Sequence, residues 1–205
     1  MLVSIDEKRD ILVVGQKSGV VYGLDPDRDG DVQWKTRVGR GGIVGGVHFG
    51  MAWHPDGIIV PVLDRDDTVD YEHEPTPGVV ALDAATGEVR WRMGALDGIC
   101  ENRPGCHPGF SAAATSLPGA ALVGALDGYL QAFSTETGER IWAYDTARSF
   151  ETVNGVPGHG GAMSATGPIV TRDRIFVLSG YGQFAGNMPG NVLLSFAPAK
   201  NGDSE

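Results

Sequence analysis

Short apolar stretches separated by turn residues recur along the whole chain. Residues 11–15, 58–62 and 121–124 are rich in Val, Ile, Leu and Ala, and Gly, Pro or Asp residues flank them. Short apolar runs bounded in this way are typical of buried β-strands, whereas helices need longer stretches with apolar residues three or four apart. The pattern predicts an all-β protein with almost no helix.

One hairpin motif occurs three times and begins a fourth time. The clearest copies are residues 81–91 (ALDAATGEVRW) and 132–142 (AFSTETGERIW), which align without a gap. Residues 23–34 form an earlier copy with a turn one residue longer, and a fourth copy begins at Ser195 and stops before any Trp. In each full copy, polar residues and Gly build a tight turn before a strand that carries Trp. Each copy therefore predicts a β-hairpin with a fixed aromatic residue.

The spacing of the hairpins indicates a β-propeller. Trp34, Trp91 and Trp142 are 57 and 51 residues apart, close to the ~40–50 residues of a four-stranded propeller blade. We predict one partial propeller over residues 1–205, built of four-stranded antiparallel blades. About four blades are expected, at about residues 1–40, 41–95, 96–147 and 148–205.

Three segments rich in small residues precede the hairpins. They are residues 48–53, 109–114 and 161–165. The first strand of each blade crowds round the central axis of a propeller, so small side chains are expected there. We predict that these segments are the innermost strands. The chain would then open on the second strand of one blade and end on the third strand of another.

An open arc of blades predicts missing neighbours. Such an arc leaves two sheet faces uncovered, which favours association. We expect the missing upstream blades to come from the same polypeptide. The alternative is a small four-bladed propeller with an interlocked first and last blade.

Charge and hydropathy narrow the classes of partner. The chain has 16 Lys and Arg against 26 Asp and Glu, for a net charge of -10. Phosphate binding needs clustered basic residues, so no nucleic-acid partner is expected. No apolar run is long enough for a membrane span, and the N-terminus lacks the charge and apolar order of a signal peptide.

An acidic insertion interrupts the second blade. Residues 65–77 (RDDTVDYEHEPTP) separate two apolar strands, and such a charge run is typical of a solvated loop. Asp64, Asp66, Asp67 and Asp70 lack the Gly and the final Glu of a calcium-binding loop. We therefore predict that these carboxylates are solvated.

The two cysteines lie in one short loop. Cys100 and Cys106 flank five residues that include Pro and Gly. A local disulfide, which would suit an oxidising compartment, and two free thiols both remain open. A c-type haem needs Cys-x-x-Cys-His, so haem c is not encoded in this chain.

The hairpin motif resembles the docking motif of PQQ-type propellers. In that family, Ala and Trp residues of neighbouring blades pack together and a Gly closes the turn. Residues 106–115 (CHPGFSAAAT), 124–128 (GALDG), 179–182 and 188–194 also resemble the C-terminal half of polyvinyl-alcohol dehydrogenases. The resemblance implies structural docking roles for Trp34, Ala81, Gly87, Trp91, Ala132, Gly138 and Trp142.

The resemblance implies a function as well as a fold. Polyvinyl-alcohol dehydrogenases are periplasmic quinohaem enzymes that oxidise secondary alcohols and pass electrons to cytochrome c. The resemblance implies pyrroloquinoline quinone (PQQ) as the cofactor, with Ca²⁺ in the full-length protein. It also implies an alcohol substrate and cytochrome c or a quinone as the electron acceptor. An eight-bladed propeller would be the complete unit.

Two features depart from related enzymes and leave a second function open. The vicinal disulfide that covers the quinone in methanol-type dehydrogenases is absent, and the haem motif is absent too. Outer-membrane assembly lipoproteins resemble the same propeller without binding PQQ. A non-catalytic scaffold that binds protein partners is therefore the alternative.

The candidate cofactor site is expected over the central channel. Alcohol oxidation needs a proton acceptor and a group that polarises the quinone, and propeller ligands sit at the loops that enter the inner strands. Glycines in residues 154–164 would let the backbone approach a flat cofactor. Trp53 would stack on the quinone or fill the channel, and Asn187 would border the same opening as Tyr181. The predicted cofactor-binding residues are His48, Trp53, His107, Asn154, His159, Ser164 and Tyr181.

No catalytic base or metal ligand is assigned from the sequence. Each of the histidines His48, His107 and His159 lies beside or near Gly. A histidine in that setting is also compatible with a local hydrogen bond in a turn. The site prediction therefore depends on whether the fold brings these histidines together.

Overall fold

The computed structural model describes residues 1–67, 69–182 and 186–199, and within these ranges it contains 17 β-strands and no helix. The first sheet holds β1 (Leu2–Asp6), β2 (Arg9–Gly15), β3 (Val20–Asp25) and β4 (Asp31–Arg37). The second holds β5 (Ala52–His54), β6 (Gly57–Val62), β7 (Gly78–Leu82) and β8 (Val89–Gly94). The third holds β9 (Thr115–Leu117), β10 (Ala120–Gly124), β11 (Tyr129–Ser134) and β12 (Arg140–Asp145).

A last group of strands follows the third sheet. β13 (Ser149–Phe150) and β14 (Gly158–His159) form a two-stranded hairpin, and β15 (Ile169–Val170), β16 (Ile175–Ser179) and β17 (Val192–Phe196) form a three-stranded sheet. Neighbouring strands follow chain order and pair antiparallel in every sheet. This arrangement confirms the predicted fold class of antiparallel blades. No helix in the described ranges is long and apolar enough to cross a membrane.

The apolar core lies in layers between successive sheets. Strand β6 is buried at every position because it has a sheet on each side, which explains its uninterrupted apolar sequence. One layer joins the first and second sheets through Val3, Ile11, Val13, Val21, Ile58, Val60, Val62, Val80 and Leu82. The next layer joins the second and third sheets through Ile59, Val79, Ala81, Ala121, Val123 and Phe133.

Two tryptophans fix the distance between blades. The Trp34 indole Nε1 donates to the Ala84 carbonyl oxygen at 3.1 Å, in the hairpin turn of the next blade. The Trp91 Nε1 donates to the Thr135 carbonyl oxygen at 2.8 Å in the same way. Both indoles are buried. Each outer strand therefore docks onto the turn that follows in the next sheet.

Glycine is required beneath each docked indole. Gly87 has φ +73°, and a Cβ built on it would lie 2.4 Å from Trp34 Cε3. Gly138 has φ +76°, and its Cβ would lie 2.6 Å from Trp91 Cδ2. A side chain at either position would meet both backbone strain and a steric clash.

The alanines of the motif lie opposite the tryptophans in the same hairpin. Ala81 pairs with Trp91, and Ala132 pairs with Trp142. The small residue leaves room for the indole on its own sheet, and the turn of the neighbouring blade covers the indole from the other side. The Ala–Trp pairing is thus within one blade and the Trp–turn contact is between blades.

Trp142 lies in a different environment from the other two. It is 39% exposed, stacks on Tyr144, and contacts Phe196 edge to face. The sequence that aligns with the receiving turns of the other copies begins after Phe196 and runs past residue 199, outside the described residues. The docking role of Trp142 stays a prediction.

The prediction that the chain opens on the second strand of a blade was wrong. Leu2–Asp6 forms β1 and pairs with β2, so the described chain opens on the first strand of a four-stranded sheet. The sequence LVSID is short and lacks the small residues expected near the axis. Its role therefore depends on pairing with β2, which local pattern does not reveal.

The small-residue segments mostly precede the innermost strands. These strands are β5, β9 and β15, and only Ala52 and Trp53 belong to a predicted segment. The Ala114 N–H donates to Gly50 O at 3.3 Å, and the Ala113 N–H donates to Ala165 O at 3.2 Å. A Cβ on Gly50 would lie 3.0 Å from the Ala113 Cβ. Small side chains are needed where segments from neighbouring blades touch, as they enter the strands.

Candidate functional site

Six connections between strands meet at one small pocket with polar groups on a mainly apolar lining, which we call the central pocket. Its volume is about 80 Å³. The β2–β3, β4–β5, β6–β7, β8–β9, β10–β11 and β16–β17 connections all contribute to it. Its lining consists of Lys17, Ile43, Val44, His48, Leu63, Arg65, Ser111, Leu126 and Asn187.

A buried carboxylate shapes the glycine-rich wall of the central pocket. Asp64 is 1% exposed and accepts hydrogen bonds from the backbone N–H groups of Arg40 at 2.5 Å, Gly41 at 3.2 Å and Gly46 at 2.8 Å. The Thr76 N–H donates to it at 3.0 Å. These donors hold the pKa of Asp64 below its ordinary value, although burial alone would raise it. The prediction that Asp64 is solvated was wrong, because a short loop of glycines leaves several N–H groups that need one buried acceptor.

The acidic insertion is tied to this wall at its start. Arg40 is buried, and its Nη2 donates to the Arg65 carbonyl oxygen at 2.7 Å. Its guanidinium carbon lies 4.2 Å from the centre of the Tyr71 ring. Asp66 and Asp67 approach the same guanidinium at 3.9 Å, but the Asp66 side chain is 93% exposed. The Asp67 side chain is only 21% exposed and accepts from the Tyr71 hydroxyl at 3.0 Å, so the prediction that Asp67 is solvated was wrong, whereas Asp66 is solvated as predicted.

Two of the predicted residues approach each other around a serine. Ser111 Oγ lies 3.5 Å from His48 Nδ1 and 3.5 Å from Ser164 Oγ. Burial, together with the positive charge of Lys17, lowers the pKa of His48 to about 4. His48 is therefore a neutral imidazole at neutral pH.

A third predicted residue, His107, lies beside Arg65. Burial and the Arg65 charge lower the pKa of His107, while a backbone hydrogen bond with Gly186 opposes the shift. Arg65 Nη1 donates to Asn187 Oδ1 at 3.5 Å. His107 Nε2 and Asn187 Nδ2 are buried and have no hydrogen-bond partner among the described residues. Buried polar atoms of this kind are costly unless a ligand or water satisfies them.

His159 and Asn154 do not line the central pocket, and their predicted roles in cofactor binding stay predictions. Strand β14 alternates, with Gly158 buried and His159 exposed, so the imidazole faces a different cleft. Asn154 is exposed in the β13–β14 turn, where its Oδ1 accepts from the Val156 N–H. The hairpin diverts this segment away from the axis.

Trp53 and Tyr181 also lie outside the lining of the central pocket. Trp53 is 46% exposed on β5, because the alternation of that strand turns Ala52 into the core instead. Tyr181 follows Gly180 and is 47% exposed. In the described arc the Trp53 side chain is exposed, and the predicted roles of Trp53 and Tyr181 at the cofactor stay predictions.

Lys17, Arg65 and Ser111 were not identified from the sequence. A partial signal existed, because Lys17 and Leu126 occupy the same place in the aligned turns Gly15–Gly19 and Gly124–Gly128 and both line the central pocket. No corresponding repeat marks Arg65 or Ser111. Their role depends on the packing of the loops.

Asp127 is a buried carboxyl next to the lining residue Leu126. Its Oδ1 accepts from the Tyr129 N–H at 2.7 Å, and its Oδ2 has no partner within the described parts of the chain. Burial raises its pKa to about 7, although Arg103 lowers it in part. Because Asp127 is fully buried and does not line the central pocket, we treat it as a structural group.

A larger cleft lies beside the central pocket, and we call it the disulfide cleft. Cys100 and Cys106 form a disulfide, and the loop that they close makes one wall. The β13–β14 hairpin and the end of the β16–β17 connection make the other walls. The volume of the cleft is about 770 Å³.

No group of His, Cys, Asp and Glu side chains suited to a metal ion occurs in the residues that the structure describes. The polar groups of the central pocket are cationic or neutral. The arrangement is therefore suited to an anionic ligand with hydrogen-bond acceptors rather than to a cation.

Stacked antiparallel blades, indoles docked on the turns of the next blade, and a pocket where the strand connections meet define a partial β-propeller of the PQQ-repeat class. Sequence comparison agrees with this class. The chain belongs to the family described as outer membrane protein assembly factor BamB, whose model matches residues 17–191.

Similar proteins with longer chains include two dehydrogenases. The chain is 38% identical over 206 residues to a polyvinylalcohol dehydrogenase of Pseudomonas sp, which covers 96% of this chain and 32% of that protein. It is 36% identical over 200 residues to the polyvinylalcohol dehydrogenase of Sphingopyxis sp. strain 113P3, covering 92% and 30%. The chain thus spans about a third of the length of these relatives.

Solved structures share the fold at lower identity. BamB from Moraxella catarrhalis matches with a TM-score of 0.58 and 19% identity, over 94% of this chain and 44% of that chain. Quinohemoprotein alcohol dehydrogenase from Comamonas testosteroni matches with a TM-score of 0.57 and 22% identity, over 86% and 28%. At these identities the structures establish the propeller fold and not the activity.

Proposed function

We propose that this chain is the C-terminal part of a PQQ-dependent dehydrogenase that oxidises secondary alcohols, including polyvinyl alcohol. Support comes from the identity of 36–38% to two proteins named polyvinylalcohol dehydrogenase. The single structural observation that carries the proposal is the pair of buried, unsatisfied nitrogens of His107 and Asn187 beside a cationic pocket.

The residues of the central pocket fit PQQ chemically. PQQ is a flat polycarboxylate with quinone oxygens, so it needs cations and hydrogen-bond donors. Lys17 and Arg65 supply positive charge, and Asn187 Nδ2 supplies a free donor. The volume of about 80 Å³ is smaller than a fused three-ring quinone. We therefore assign these residues to one wall of the cofactor site, with further blades completing it.

Bound PQQ supplies an ortho-quinone that accepts the electrons removed from the alcohol carbon. This chain contributes binding and orientation. Lys17 and Arg65 attract the carboxylates, and the neutral His48 adds no further charge at neutral pH. The hydrogen bond from Arg65 to Asn187 fixes the amide so that its Nδ2 remains available. No residue of the chain is assigned as the proton acceptor.

The complete protein is proposed to contain further blades, a site for Ca²⁺, and an acceptor such as cytochrome c or a quinone. The relatives are about three times longer than the matched region, which supports additional blades. We propose a periplasmic location on the same family resemblance. The Cys100–Cys106 disulfide is compatible with that oxidising compartment.

PQQ reconstitution tests the proposed function. The longest polypeptide that contains this chain is titrated with PQQ and Ca²⁺, and reduction of an artificial dye is measured with secondary alcohols. We expect saturable PQQ binding and alcohol-dependent turnover. Lys17→Ala should weaken PQQ binding, whereas the exposed Lys35→Ala should leave it unchanged.

A non-catalytic scaffold is the second candidate function. The match to the BamB family model over residues 17–191 favours it, because it covers most of the chain. Absence of both PQQ binding and dye reduction in the same titration would contradict the dehydrogenase proposal and leave the scaffold.

A further inference from the structure

The disulfide cleft is a built feature of the fold. Arg103, from the loop between the two cysteines, pairs with Asp145 and donates to the Asp127 carbonyl oxygen. The Met188 N–H donates to Gly105 O at 3.1 Å, which ties the loop to the β16–β17 connection. These contacts and the disulfide hold the first wall in place.

The opposite wall is held by an asparagine. Asn191 Oδ1 accepts from the His159 N–H at 2.9 Å, and the Asn191 N–H donates to His159 O at 2.8 Å. The β13–β14 hairpin is thereby fixed to the β16–β17 connection. Because His159 is exposed while its backbone is held, its imidazole is presented to the cleft on a rigid support.

The lining of the disulfide cleft is neutral and amphipathic. Among its lining residues, Arg103 is the one Lys, Arg, Asp or Glu side chain, and Asp145 balances its charge. The apolar lining residues are Pro104, Ala147, Pro157, Met188 and Pro189. The polar lining residues that can bond a hydroxyl are Asn102, Ser149, His159 and Asn191. Proline and methionine surface beside hydroxyl-bonding groups suits a chain in which methylene and hydroxyl carbons alternate.

The disulfide cleft and the central pocket lie against consecutive residues of the β16–β17 connection. Asn187 lines the central pocket and Met188 lines the disulfide cleft. The units of a polymer that flank a carbon reacting at the central pocket would therefore lie close to the cleft. A small alcohol has no such flanking units to place there.

We propose that the disulfide cleft binds the hydroxylated polymer segment that flanks the reacting carbon, with His159 and Ser149 as hydroxyl-bonding groups. This inference rests on the proposed function for the identity of the polymer, but it assigns a binding site outside the cofactor pocket. The site binds a neutral chain of repeated secondary alcohols without PQQ.

Polymer binding by the PQQ-free protein tests the inference. The probe is fluorescently labelled polyvinyl alcohol oligomer, followed by fluorescence anisotropy, with polyethylene glycol of matched length as a competitor without carbon-bound hydroxyls along the chain. His159→Ala removes one hydrogen bond and should weaken binding about three- to tenfold. Ser149→Trp places an indole in the cleft and should abolish measurable binding by obstructing the path of the polymer. His73→Ala, in the acidic insertion, is the matched control for an exposed histidine and should bind like the parent.

Each outcome decides the inference. Weaker binding in both cleft variants, unchanged binding in His73→Ala and no competition by polyethylene glycol would support it. Absent binding, equal binding in all variants, or equal competition by polyethylene glycol would overturn it. Circular dichroism spectra that match the parent show that the variants are folded. Polymer binding that persists when PQQ binding fails would refute the dehydrogenase role and retain the cleft, so the two failures are distinguishable.

Discussion

Besides the apolar layers, an indole lies against a glycine in each of two contacts between blades. Trp34 covers Gly87 and Trp91 covers Gly138, and in each case the indole nitrogen also donates to a turn carbonyl. The glycine serves both its own left-handed turn and the close approach of a ring from the preceding blade. The same position therefore controls local conformation and the packing between blades.

Comparing Gly87→Ala with Gly119→Ala should separate the cost of a left-handed backbone from the cost of a clash with the indole. Both glycines have nearly the same φ, +73° and +74°, but among described residues nothing lies within 4 Å of a Cβ on Gly119. Gly119→Ala should lower the free energy of unfolding by about 1–2 kcal/mol through strain. Gly87→Ala should cost about 1–3 kcal/mol more, because the methyl group displaces Trp34. Urea denaturation measures both, and equal losses would contradict indole docking.

A second residue-scale prediction concerns Asp127 and pH. Its folded-state pKa of about 7 lies above the ordinary value of 3.8, so its ionisation destabilises the fold. The stability that protonated Asp127 contributes is fully present below about pH 4 and is lost as the pH rises through 7. The free energy of unfolding should decrease by about 2–3 kcal/mol between pH 5 and pH 8 on this account.

Asp127→Asn should remove most of that decrease, because the amide oxygen can still accept from Tyr129 but the side chain does not ionise. Glu136→Gln, in an exposed hairpin turn, is the control and should retain the pH dependence of the parent. Urea unfolding at the two pH values measures the effect. An unchanged slope in Asp127→Asn would refute the assignment.

At the scale of elements, hairpins could be predicted from the sequence but inner strands could not. The hairpin copies carry their turn residues and Trp at fixed positions, so local geometry determines them. Strands β5, β9 and β15 have only two or three residues, and pairing with the adjacent strand defines them. The predicted site brought His48 and His159 together, but the structure places His48 in the central pocket and His159 in the disulfide cleft. The β13–β14 hairpin, which strand pairing defines, turns the chain at His159 away from the central pocket.

The conformation of the glycine-rich connection before β5 depends on the hydrogen bonds that Asp64 accepts. Asp64→Ala would leave the N–H groups of Arg40, Gly41 and Gly46 without their acceptor, at a cost of about 2–4 kcal/mol. Asp66→Ala should change stability by less than about 0.5 kcal/mol, because that carboxylate is exposed. Hydrogen exchange of the three amides and urea unfolding test this prediction. Slow exchange retained in Asp64→Ala would contradict it.

At the scale of the whole molecule, the two terminal sheets each present an uncovered apolar face. On the first sheet, cross-strand pairing aligns Leu2, Leu12, Leu24 and Val32 in one row, with Leu2 62% and Val32 56% exposed. On the last sheet, the exposed Leu178 and Leu193 are direct partners. The repeat predicts such uncovered faces at the two ends of an arc, because a blade buries both of its sheet faces only when it has a neighbour on each side. Which chain covers them depends on contacts that a repeat does not encode.

Self-association of this chain alone should depend on these faces. Leu193→Asp places a charge on the last sheet and should lower the weight-average mass in sedimentation experiments at high protein concentration. Val156→Asp, at an exposed valine of the β13–β14 turn, is the control and should leave the mass unchanged. Equal masses for parent and Leu193→Asp would show that this face does not drive association.

The most direct test of the account is the affinity of the hub for PQQ. Arg65→Gln is compared with Arg172→Gln in the longest polypeptide that contains this chain. Arg172 is exposed and does not line the central pocket. Binding is measured by the quenching of protein fluorescence when PQQ is added. The account predicts saturable binding that Arg65→Gln weakens at least about tenfold, as expected for a lost charge-assisted hydrogen bond, while Arg172→Gln binds like the parent. Equal affinity in both variants, or no saturable quenching in the parent, would contradict a PQQ site at the central pocket.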